Sequence, residues 1–297
     1  MVRCLLVRAI AKRDNLDISS AQIIDPNNSA YLGEFSAKFY ELRKHKGISD
    51  EAKKLLVDKP VFFGAMLVRE KQAEGFVAGA IHTTRDVARA ALYCIGVDPS
   101  MRTMSSSFIM AVEDETFGAG GVFVFADCGV VPNPSPRQLS NIAISASDIM
   151  QLIFEITPKV AMLSFSTKGS GTSENIEKIL KAVDSVRKAR PGILIDGELQ
   201  ADAALVPEVA QIKAPNSPIA GEANVLVFPN LESGNIAYKL TQRLAKARAL
   251  GPLLHGVLAP CSDLSRGCDV NDIIDIVAVT TIRASRRKAG LNASSAK

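Results

Sequence analysis

The sequence has no run of apolar residues long enough to span a membrane, and it has few of the residues that build disulfides or metal sites. Its 297 residues include five cysteines and three histidines. The cysteines lie far apart, are odd in number and form no C-x-x-C pair, which argues against a disulfide framework and a zinc site. No apolar stretch approaches the roughly eighteen residues of a membrane span. We therefore expect a cytoplasmic protein of a reducing compartment, with no membrane association and no metal.

Long basic runs interleaved with aromatic residues are also absent. The net charge of +4 is scattered along the chain, so it favours anionic ligands only weakly and gives no reason to expect a nucleic-acid partner. The one local excess of positive charge is residues 1–13, with four basic residues and no acid. This segment fits an organelle transit peptide or, equally, one amphipathic surface helix.

Short β-branched runs alternate with longer stretches of helical period, which is typical of an α/β protein with a largely parallel sheet. Segment 113–121 joins two of the runs as a hairpin would, so we expect a mixed sheet. Strands are predicted at residues 75–81, 105–112, 121–127, 159–165, 192–196 and 224–229. Helices are predicted at residues 30–45, 85–95, 136–156, 173–189, 202–213 and 231–249.

Ligands of open parallel sheets bind where strands end, which draws attention to the turn "STKGSG" after the strand at 159–165. The backbone N–H groups of Ser166, Thr167, Gly169 and Gly171 could hold a phosphate at the following helix. The turn is not a Walker A loop and lacks the third glycine of G-x-G-x-x-G, so an ordinary strand-to-helix turn explains it equally well.

Three acids follow the strand at 192–196. Asp196, Glu198 and Asp202 could bind Mg²⁺ through oxygen ligands, or they could cap the next helix and pair with solvent-exposed cations. The second arrangement is the commoner one, because acids are frequent at helix N-termini.

Further along, a predicted helix carries Asn235, Lys239 and Arg243 at four-residue spacing, which places them on one helical face. We expect this basic face to be solvated unless it borders a cleft. Whether the basic face is solvated or borders a cleft depends on what lies opposite the helix in the folded protein.

The segment "CSDLSRGCDVND", residues 261–272, places a Ser-Arg-Gly turn ahead of an acidic helix start. Its hydroxyl, guanidinium and carboxylate could act together on a phosphorylated substrate. Alternatively, Asp269 and Asp272 are the N-cap and N3 residues of a capping pair, which would explain both acids without chemistry.

Five blocks of the sequence, taken together and in order, resemble the phosphate acetyltransferase and phosphate butyryltransferase family. They are "GAIHTTRDVARAAL", "KVAMLSFSTKGSG", "DGELQADAALVPEVAQIKAP", "ANVLVFPNLESGNIAYKLTQRLA" and "GPLLHGVLAPCSDLSRGCDVNDI". The resemblance runs from about residue 20 to 285, and its nearest likeness is to the acetyl-transferring members. It implies the reversible exchange of an acetyl group between CoA and inorganic phosphate, with acetyl-CoA and acetyl phosphate as the acylated forms and no cofactor.

The same resemblance implies an architecture of two α/β lobes that face a cleft, similar to isocitrate and isopropylmalate dehydrogenases, in a homodimer. One lobe would comprise residues 1–103 and 255–297, and the other residues 104–254. The sequence starts at what resembles the second strand–helix unit of the family, so we expect the first lobe to be shortened at its N-terminus.

Matched position by position, the family's catalytic residues fall on Ser265, Arg266 and Asp272, and its CoA-binding arginines fall on Arg43 and Arg89. The residue types suit these roles. An arginine fork can bind phosphate oxygens and polarise a carbonyl group, a serine can donate to the developing oxyanion, and an aspartate can take the thiol proton. A carboxyl group near pKa 4 facing a thiol near 8.5 would need roughly 6 kcal/mol for full proton transfer. We therefore expect either that transfer is concerted with attack or that closure of the site desolvates Asp272 and raises its pKa.

Alternative functions are also consistent with the sequence. The acyl group could be longer, as in a phosphate butyryltransferase, or the chain could be a noncatalytic CoA-binding regulatory module. A metal-dependent dehydrogenase of similar fold would instead use Asp196, Glu198 and Asp202.

Overall fold

The computed structural model describes residues 2–47 and 51–288, and its strands form one mixed eight-stranded sheet. The strands are β1 (Phe76–Ala78), β2 (Ser105–Ala111), β3 (Val122–Ala126), β4 (Lys159–Leu163), β5 (Leu194–Leu199), β6 (Val225–Val227), β7 (Arg248–His255) and β8 (Cys261–Asp263). Their order across the sheet is β1-β8-β7-β2-β3-β6-β4-β5. The predicted α/β fold with a mixed sheet is therefore confirmed.

Helices connect the strands and flank the sheet. They are α1 (Val2–Arg13), α2 (Leu32–Arg43), α3 (Glu51–Asp58), α4 (Pro60–Arg69), α5 (Thr84–Ala90), α6 (Pro136–Phe154), α7 (Glu174–Ala189), α8 (Ala201–Leu205), α9 (Pro207–Lys213), α10 (Leu231–Leu244) and α11 (Val270–Lys288). Within residues 2–47 and 51–288, none of these helices combines the length and the apolar character that crossing a bilayer demands.

The strands divide into two directions. β3, β6, β4 and β5 run parallel to one another, and β2 is antiparallel to both of its neighbours, β3 and β7. β8 pairs antiparallel with β7 and parallel with β1. The antiparallel pairing of β2 with β3 confirms the hairpin predicted at residues 113–121.

Side-chain alternation along the strands builds a core on each face of the sheet. Ile109 and Val124 belong to a buried cluster with α6 and α7, whereas Phe108 and Phe125 belong to a second cluster on the opposite face with α8. A third cluster joins α2, α3, α4 and α5 to β1, β7 and β8.

The predicted boundaries of the two lobes stay a prediction. The third cluster draws its buried members from residues 32–95 and 254–261, which lie almost entirely within the predicted first lobe but cover only part of it. Residues 1, 48–50 and 289–297 of that lobe lie outside the described residues.

Several predicted elements differ from the observed ones for local reasons. The helix predicted at 202–213 is two helices, because Val206 is extended ahead of Pro207 and separates α8 from α9. The helix predicted at 231–249 ends at Leu244, and its last residues begin β7. No strand was predicted at the positions of β7 and β8, and no helix at those of α3 and α4.

Candidate active site

A cleft of about 490 Å³ opens where the end of β8 and the start of α11 face α10, and its size is usual for a small-molecule site. Ser265, Arg266 and Asp272, the three predicted catalytic residues, all line it. His82 and Thr84, from the loop and helix that follow β1, line it as well. The fold thus gathers residues that are almost two hundred positions apart in the chain.

The turn after β8 presents Ser265 and Arg266 to solvent. The Leu264 N–H donates to the Ala78 carbonyl at 2.7 Å, which extends the pairing of β8 with β1 by one residue. Beyond it, the Gly267 N–H donates to Ser265 Oγ at 3.2 Å and the Cys268 N–H donates to the Ser265 carbonyl at 3.0 Å. These bonds close the turn and leave the Ser265 hydroxyl proton and the Arg266 side chain directed to the exposed side.

Asp272 takes part in a capping pair and also lines the cleft. The Asp269 N–H donates to Asp272 Oδ2 at 3.1 Å, and the Asp272 N–H donates to Asp269 Oδ1 at 2.9 Å. The predicted capping pair is therefore present, and the catalytic role stays a prediction that capping does not exclude, because capping occupies Oδ2 while the residue still borders the cleft.

The opposite wall of the cleft is α10, whose basic face borders the cleft instead of bulk solvent alone. Asn235, Lys239 and Arg243 all line it. Asn235 is fixed by its Nδ2 group, which donates to the Cys128 carbonyl at 3.0 Å, and the Lys239 ammonium lies 4.9 Å from the Tyr238 ring centroid. The cleft thus combines three cationic side chains, with Arg266 as the third, and can attract an anion.

An apolar wall adjoins the cationic one. The rings of Phe108 and Tyr238 stack with centroids 4.2 Å apart and an interplanar angle of 14°. Both rings line the cleft together with Leu264 and Ile276. A ligand with an anionic part and a small apolar part would find a matching surface for each.

Asp263, at the end of β8, is the one acid of the cleft that is almost wholly buried, with 1% of its surface exposed. Neither carboxylate oxygen has a hydrogen-bond donor in good geometry. Burial raises the pKa of Asp263 to about 6, and the nearby Thr84 hydroxyl and Leu264 N–H offset only part of that rise. An unsatisfied buried carboxylate is costly, so it points to a role in ligand binding or chemistry.

Gly79 makes this burial possible. Its φ of +123° is a conformation that other residues rarely adopt, and a Cβ there would lie 2.2 Å from Asp263 Oδ1 and 2.4 Å from the Leu264 carbonyl oxygen. The chain that leaves β1 therefore covers the Asp263 carboxylate at van der Waals distance, which only glycine permits.

The two predicted CoA-binding arginines lie together, outside the residues that line the cleft. The Arg43 guanidinium carbon is 3.9 Å from the Tyr93 ring centroid, and that of Arg89 is 5.3 Å from it. Arg43 Nε is buried and has no hydrogen-bond partner. Two guanidinium groups held by one ring, one of them with an unsatisfied donor, are suited to bind an anionic ligand.

The predicted phosphate loop is a different case. The Gly169 N–H donates to Glu198 Oε1 at 2.7 Å, and the Gly171 N–H donates to Ser166 Oγ at 2.9 Å. The Thr167 hydroxyl accepts from the Gln200 N–H. Because the Glu198 carboxylate already occupies the place of an anion and the loop does not line the cleft, Ser166, Thr167, Gly169 and Gly171 are corrected to an internally bonded turn.

Asp196 and Glu198 lie within β5 and Asp202 lies in α8, and the three acids do not form a metal-binding group. Asp196 pairs with Lys168 and Arg187, and Asp202 pairs with Lys213 at 2.7 Å. In the part of the chain that the structure describes, no group of three or more His, Cys, Asp and Glu side chains could hold a metal ion. The arrangement gives no support to the alternative of a metal-dependent dehydrogenase.

Sequence reasoning did not single out Asp263 or Thr84. The signal for Asp263 was its place two residues before Ser265, but three-residue strands such as β8 are too short to recognise from periodicity. Thr84 follows the N-cap Thr83, and only the pairing of β1 with β8 brings it beside the cleft.

Comparisons with known proteins identify the family. Residues 4–281 match the model of the family described as phosphate acetyl/butaryl transferase. A phosphate acetyltransferase of Thermoanaerobacterium thermosaccharolyticum is 49% identical over 91% of this chain and 83% of its own length. One of Bacillus subtilis is 42% identical over 94% of this chain and 84% of its own length.

Solved structures agree. A phosphotransacetylase from Streptococcus pyogenes superimposes with a TM-score of 0.87 at 41% identity, over 94% of this chain and 83% of that one. A branched-chain phosphotransacylase from Enterococcus faecalis shares the fold, with a TM-score of 0.61 at 21% identity over 75% of this chain and 78% of that one. The chain belongs to the phosphate acetyl/butaryl transferase family and is an acyltransferase, as its sequence blocks predicted.

The buried Asp263 carboxylate gives a prediction for stability. Because its folded pKa, about 6, lies above the ordinary value of 3.8, the folded state loses stability as the pH rises between these values. We expect Asp263→Asn to add on the order of 2 to 3 kcal/mol at most to the free energy of unfolding at pH 7.5, and so to raise the melting temperature. We expect the gain to shrink as the pH is lowered to about 4.

Thermal unfolding of both proteins across this pH range is the measurement. Asp184→Asn, at an exposed position of α7, is the matched control and should leave the melting temperature unchanged. A variant that is less stable than wild type at pH 7.5 would contradict the prediction.

Proposed function

We propose that the chain is a phosphate acetyltransferase, which catalyses acetyl-CoA + phosphate ⇌ acetyl phosphate + CoA. The observation that carries the proposal is that Ser265, Arg266 and Asp272 line one cleft with the cationic Lys239 and Arg243. The phosphate acetyltransferases among its relatives, at 41 to 49% identity, support the same activity.

In this proposal the cationic side chains bind the phosphoryl group. Arg266 offers a planar fork for two phosphate oxygens, and Lys239 and Arg243 add positive charge from the facing wall. The stacked Phe108 and Tyr238 rings border the acetyl methyl group. Binding both parts of acetyl phosphate in a fixed orientation brings its carbonyl carbon within reach of the thiol.

Asp272 and Ser265 act at the carbonyl end. Asp272 takes the thiol proton as sulfur attacks the acetyl carbonyl carbon, the C–S bond forms and the bond from that carbon to the phosphate oxygen breaks. The Ser265 hydroxyl donates to the negative charge that develops on the carbonyl oxygen. Transfer concerted with attack avoids forming a free thiolate, which a carboxylate of ordinary basicity is too weak to produce.

Arg43 and Arg89 bind the phosphates of CoA. The support is their shared position around Tyr93 and the unsatisfied Nε donor of Arg43. Their position outside the residues that line the cleft suits CoA, whose phosphates are separated from its thiol by a long arm.

Replacing Arg89 tests this assignment. We expect Arg89→Ala to raise the KM for CoA roughly tenfold with little change in kcat, because the lost contact is equally strong in the ground and transition states. Arg85→Ala, at an exposed position of the same helix, is the matched control and should leave the KM unchanged. Equal KM values for the Arg89→Ala and Arg85→Ala variants would remove Arg89 from the site.

We infer a cytoplasmic homodimer. All five cysteines are free thiols, which suits a reducing compartment. Two apolar stripes support self-association: Ile236, Leu240 and Leu244 are exposed on α10, and α11, on the other side of the cleft, exposes Val270, Ile273, Ile274 and Val277. Exposed apolar stripes are typical of surfaces that a partner covers, and cyclic dimers are the commonest assemblies.

Light scattering tests the dimer. We expect a mass of twice the chain mass of 31.7 kDa, and a shift toward the monomer when Leu240→Glu and Ile274→Glu introduce charge into both stripes. Leu5→Glu, which replaces an exposed apolar residue of α1, serves as the control and should stay dimeric. A monomeric wild type at assay concentrations would refute the inference.

Thiol release from acetyl-CoA on addition of phosphate tests the function itself. We expect activity in the wild type, a loss of about 10²- to 10³-fold in kcat for Arg266→Ala, and about 10²-fold for Asp272→Asn. Asp269→Asn should stay within about threefold of wild type, because an asparagine oxygen still accepts from the Asp272 N–H and keeps the cap.

The comparison of Asp272→Asn with Asp269→Asn separates chemistry from helix capping. Equal activities in these two variants would assign Asp272 to the cap alone. Folded wild-type protein that binds CoA without phosphate-dependent thiol release would instead be a noncatalytic CoA-binding module. Faster turnover of butyryl-CoA than of acetyl-CoA would indicate a phosphate butyryltransferase.

A further inference from the structure

The proposed reaction moves one proton from the CoA thiol to the departing phosphate. Acetyl phosphate has no proton on the oxygen that links carbon to phosphorus. If that oxygen left without a proton, it would carry away a fully deprotonated phosphate, a far poorer leaving group than hydrogen phosphate. The reaction therefore gains from a second proton-transfer group at the phosphate end, in addition to Asp272 at the thiol end.

Few side chains of the cleft can supply that proton at neutral pH. Arginine stays charged, and lysine releases its proton only with difficulty. Besides Asp272, the Tyr238 phenol and the two cysteines, the remaining titratable groups of the cleft are His82 and Asp263. His82 is half-buried, whereas Asp263 is almost wholly buried and lacks any hydrogen-bond donor in good geometry.

The surroundings of Asp263 suit proton exchange with a bound ligand. Its carboxylate lies near the Thr84 hydroxyl, and both residues line the cleft with Ser265 and Arg266. Both carboxylate oxygens are shielded from solvent, so the Thr84 hydroxyl beside them is the natural route to a substrate. A group with a pKa of about 6 is close to the value that suits an acid and base at neutral pH.

We propose that Asp263 is the acid–base group at the phosphate end of the cleft and exchanges the phosphate proton through the hydroxyl of Thr84. The proposal rests on the acyltransferase function proposed above. As the bond from the acetyl carbon to the phosphate oxygen breaks, the oxygen takes the Thr84 hydroxyl proton, and Thr84 takes the proton of the Asp263 carboxyl group.

The reverse direction balances in the same way. Hydrogen phosphate gives its proton to Thr84 as it attacks the thioester, Thr84 passes its own proton to Asp263, the C–S bond breaks and the sulfur takes a proton from Asp272. No oxidant, metal or further reactant is needed. A carboxylate at this position also favours binding of hydrogen phosphate over fully deprotonated phosphate, because it can accept the proton of the first but would repel the second.

Other charged groups face the same cleft and affect the proton affinity of Asp263. Arg266 and Asp272 come from the turn and helix after β8, Lys239 and Arg243 from α10, and His82 from the loop before α5. The cations lower the proton affinity of a neighbouring carboxyl group, and a bound phosphate raises it. His82 is the other group of the cleft that could titrate near neutral pH, so the pH profile must also be measured with a His82 variant.

The experiment measures kcat/KM for acetyl phosphate at saturating CoA between pH 5 and 8.5, with thioester formation as readout. We expect the wild-type value to fall as the pH rises above about 6, because Asp263 must be protonated to act as the acid. Asp263→Asn should lower the value at pH 6 by about 10²-fold and abolish this fall. His82→Gln should keep the fall.

Thr84 variants test the route of the proton. Thr84→Val preserves the shape of the side chain but has no hydroxyl, and should lower kcat/KM for acetyl phosphate about as much as Asp263→Asn. Thr84→Ser keeps the hydroxyl and should stay within roughly threefold of wild type, an effect small beside general acid catalysis. CoA binding and melting temperature, measured on each variant, show whether the fold is kept.

The outcomes separate this proposal from the proposed function. Wild-type protein without acyltransferase activity would refute the function itself. An active wild type with an equally active Asp263→Asn variant, or with a pH limb that vanishes in His82→Gln instead, would overturn the role of Asp263. Equal losses in Thr84→Ser and Thr84→Val would overturn the route through the hydroxyl.

Discussion

The partly buried Arg283 guanidinium donates to the Leu254 carbonyl at 2.6 Å and to the Cys261 carbonyl at 3.0 Å. These bonds tie α11 to β7 and β8, and a 2.7 Å hydrogen bond between the hydroxyls of Thr280 and Ser262 adds a second tie. Burial lowers the pKa of Arg283 to about 10, yet the group stays charged at neutral pH. Since β8 ends at Asp263 and α11 begins beside Asp272, this clamp fixes the two acids of the cleft relative to each other.

A second buried aspartate, Asp127, directly follows β3 and has the hydrogen bonds of a structural carboxylate. Asp127 accepts hydrogen bonds from Ser106 and from the N–H groups of Gly129, Val130 and Val131. Burial raises its pKa, but these donors oppose the rise. Asp263 is equally buried and has no such donors. Asp127 is therefore a carboxylate that organises a turn, whereas Asp263 has unused hydrogen-bonding capacity that a ligand could take up.

Much of the fold followed from local pattern, and the exceptions have physical reasons. All six predicted strands are present, because each is a buried β-branched or apolar run between turn residues. β7 was missed because Gly251 and Pro252 interrupt it, and both residues normally weaken strands. The turn at residues 166–171 had the composition of a phosphate loop, but Glu198, 27 or more positions away, takes its donors.

The sequence by itself determined the family and the α/β class and named Ser265, Arg266 and Asp272 as candidate site residues, because these depend on ordered blocks and local periodicity. The tertiary structure alone decided which charges share a cleft. It brought the basic face of α10 opposite Arg266 and left Asp263 buried beneath Gly79 without a donor. Burial and the supply of hydrogen-bond partners depend on contacts between residues far apart in the chain, and these set the chemistry of a carboxyl group.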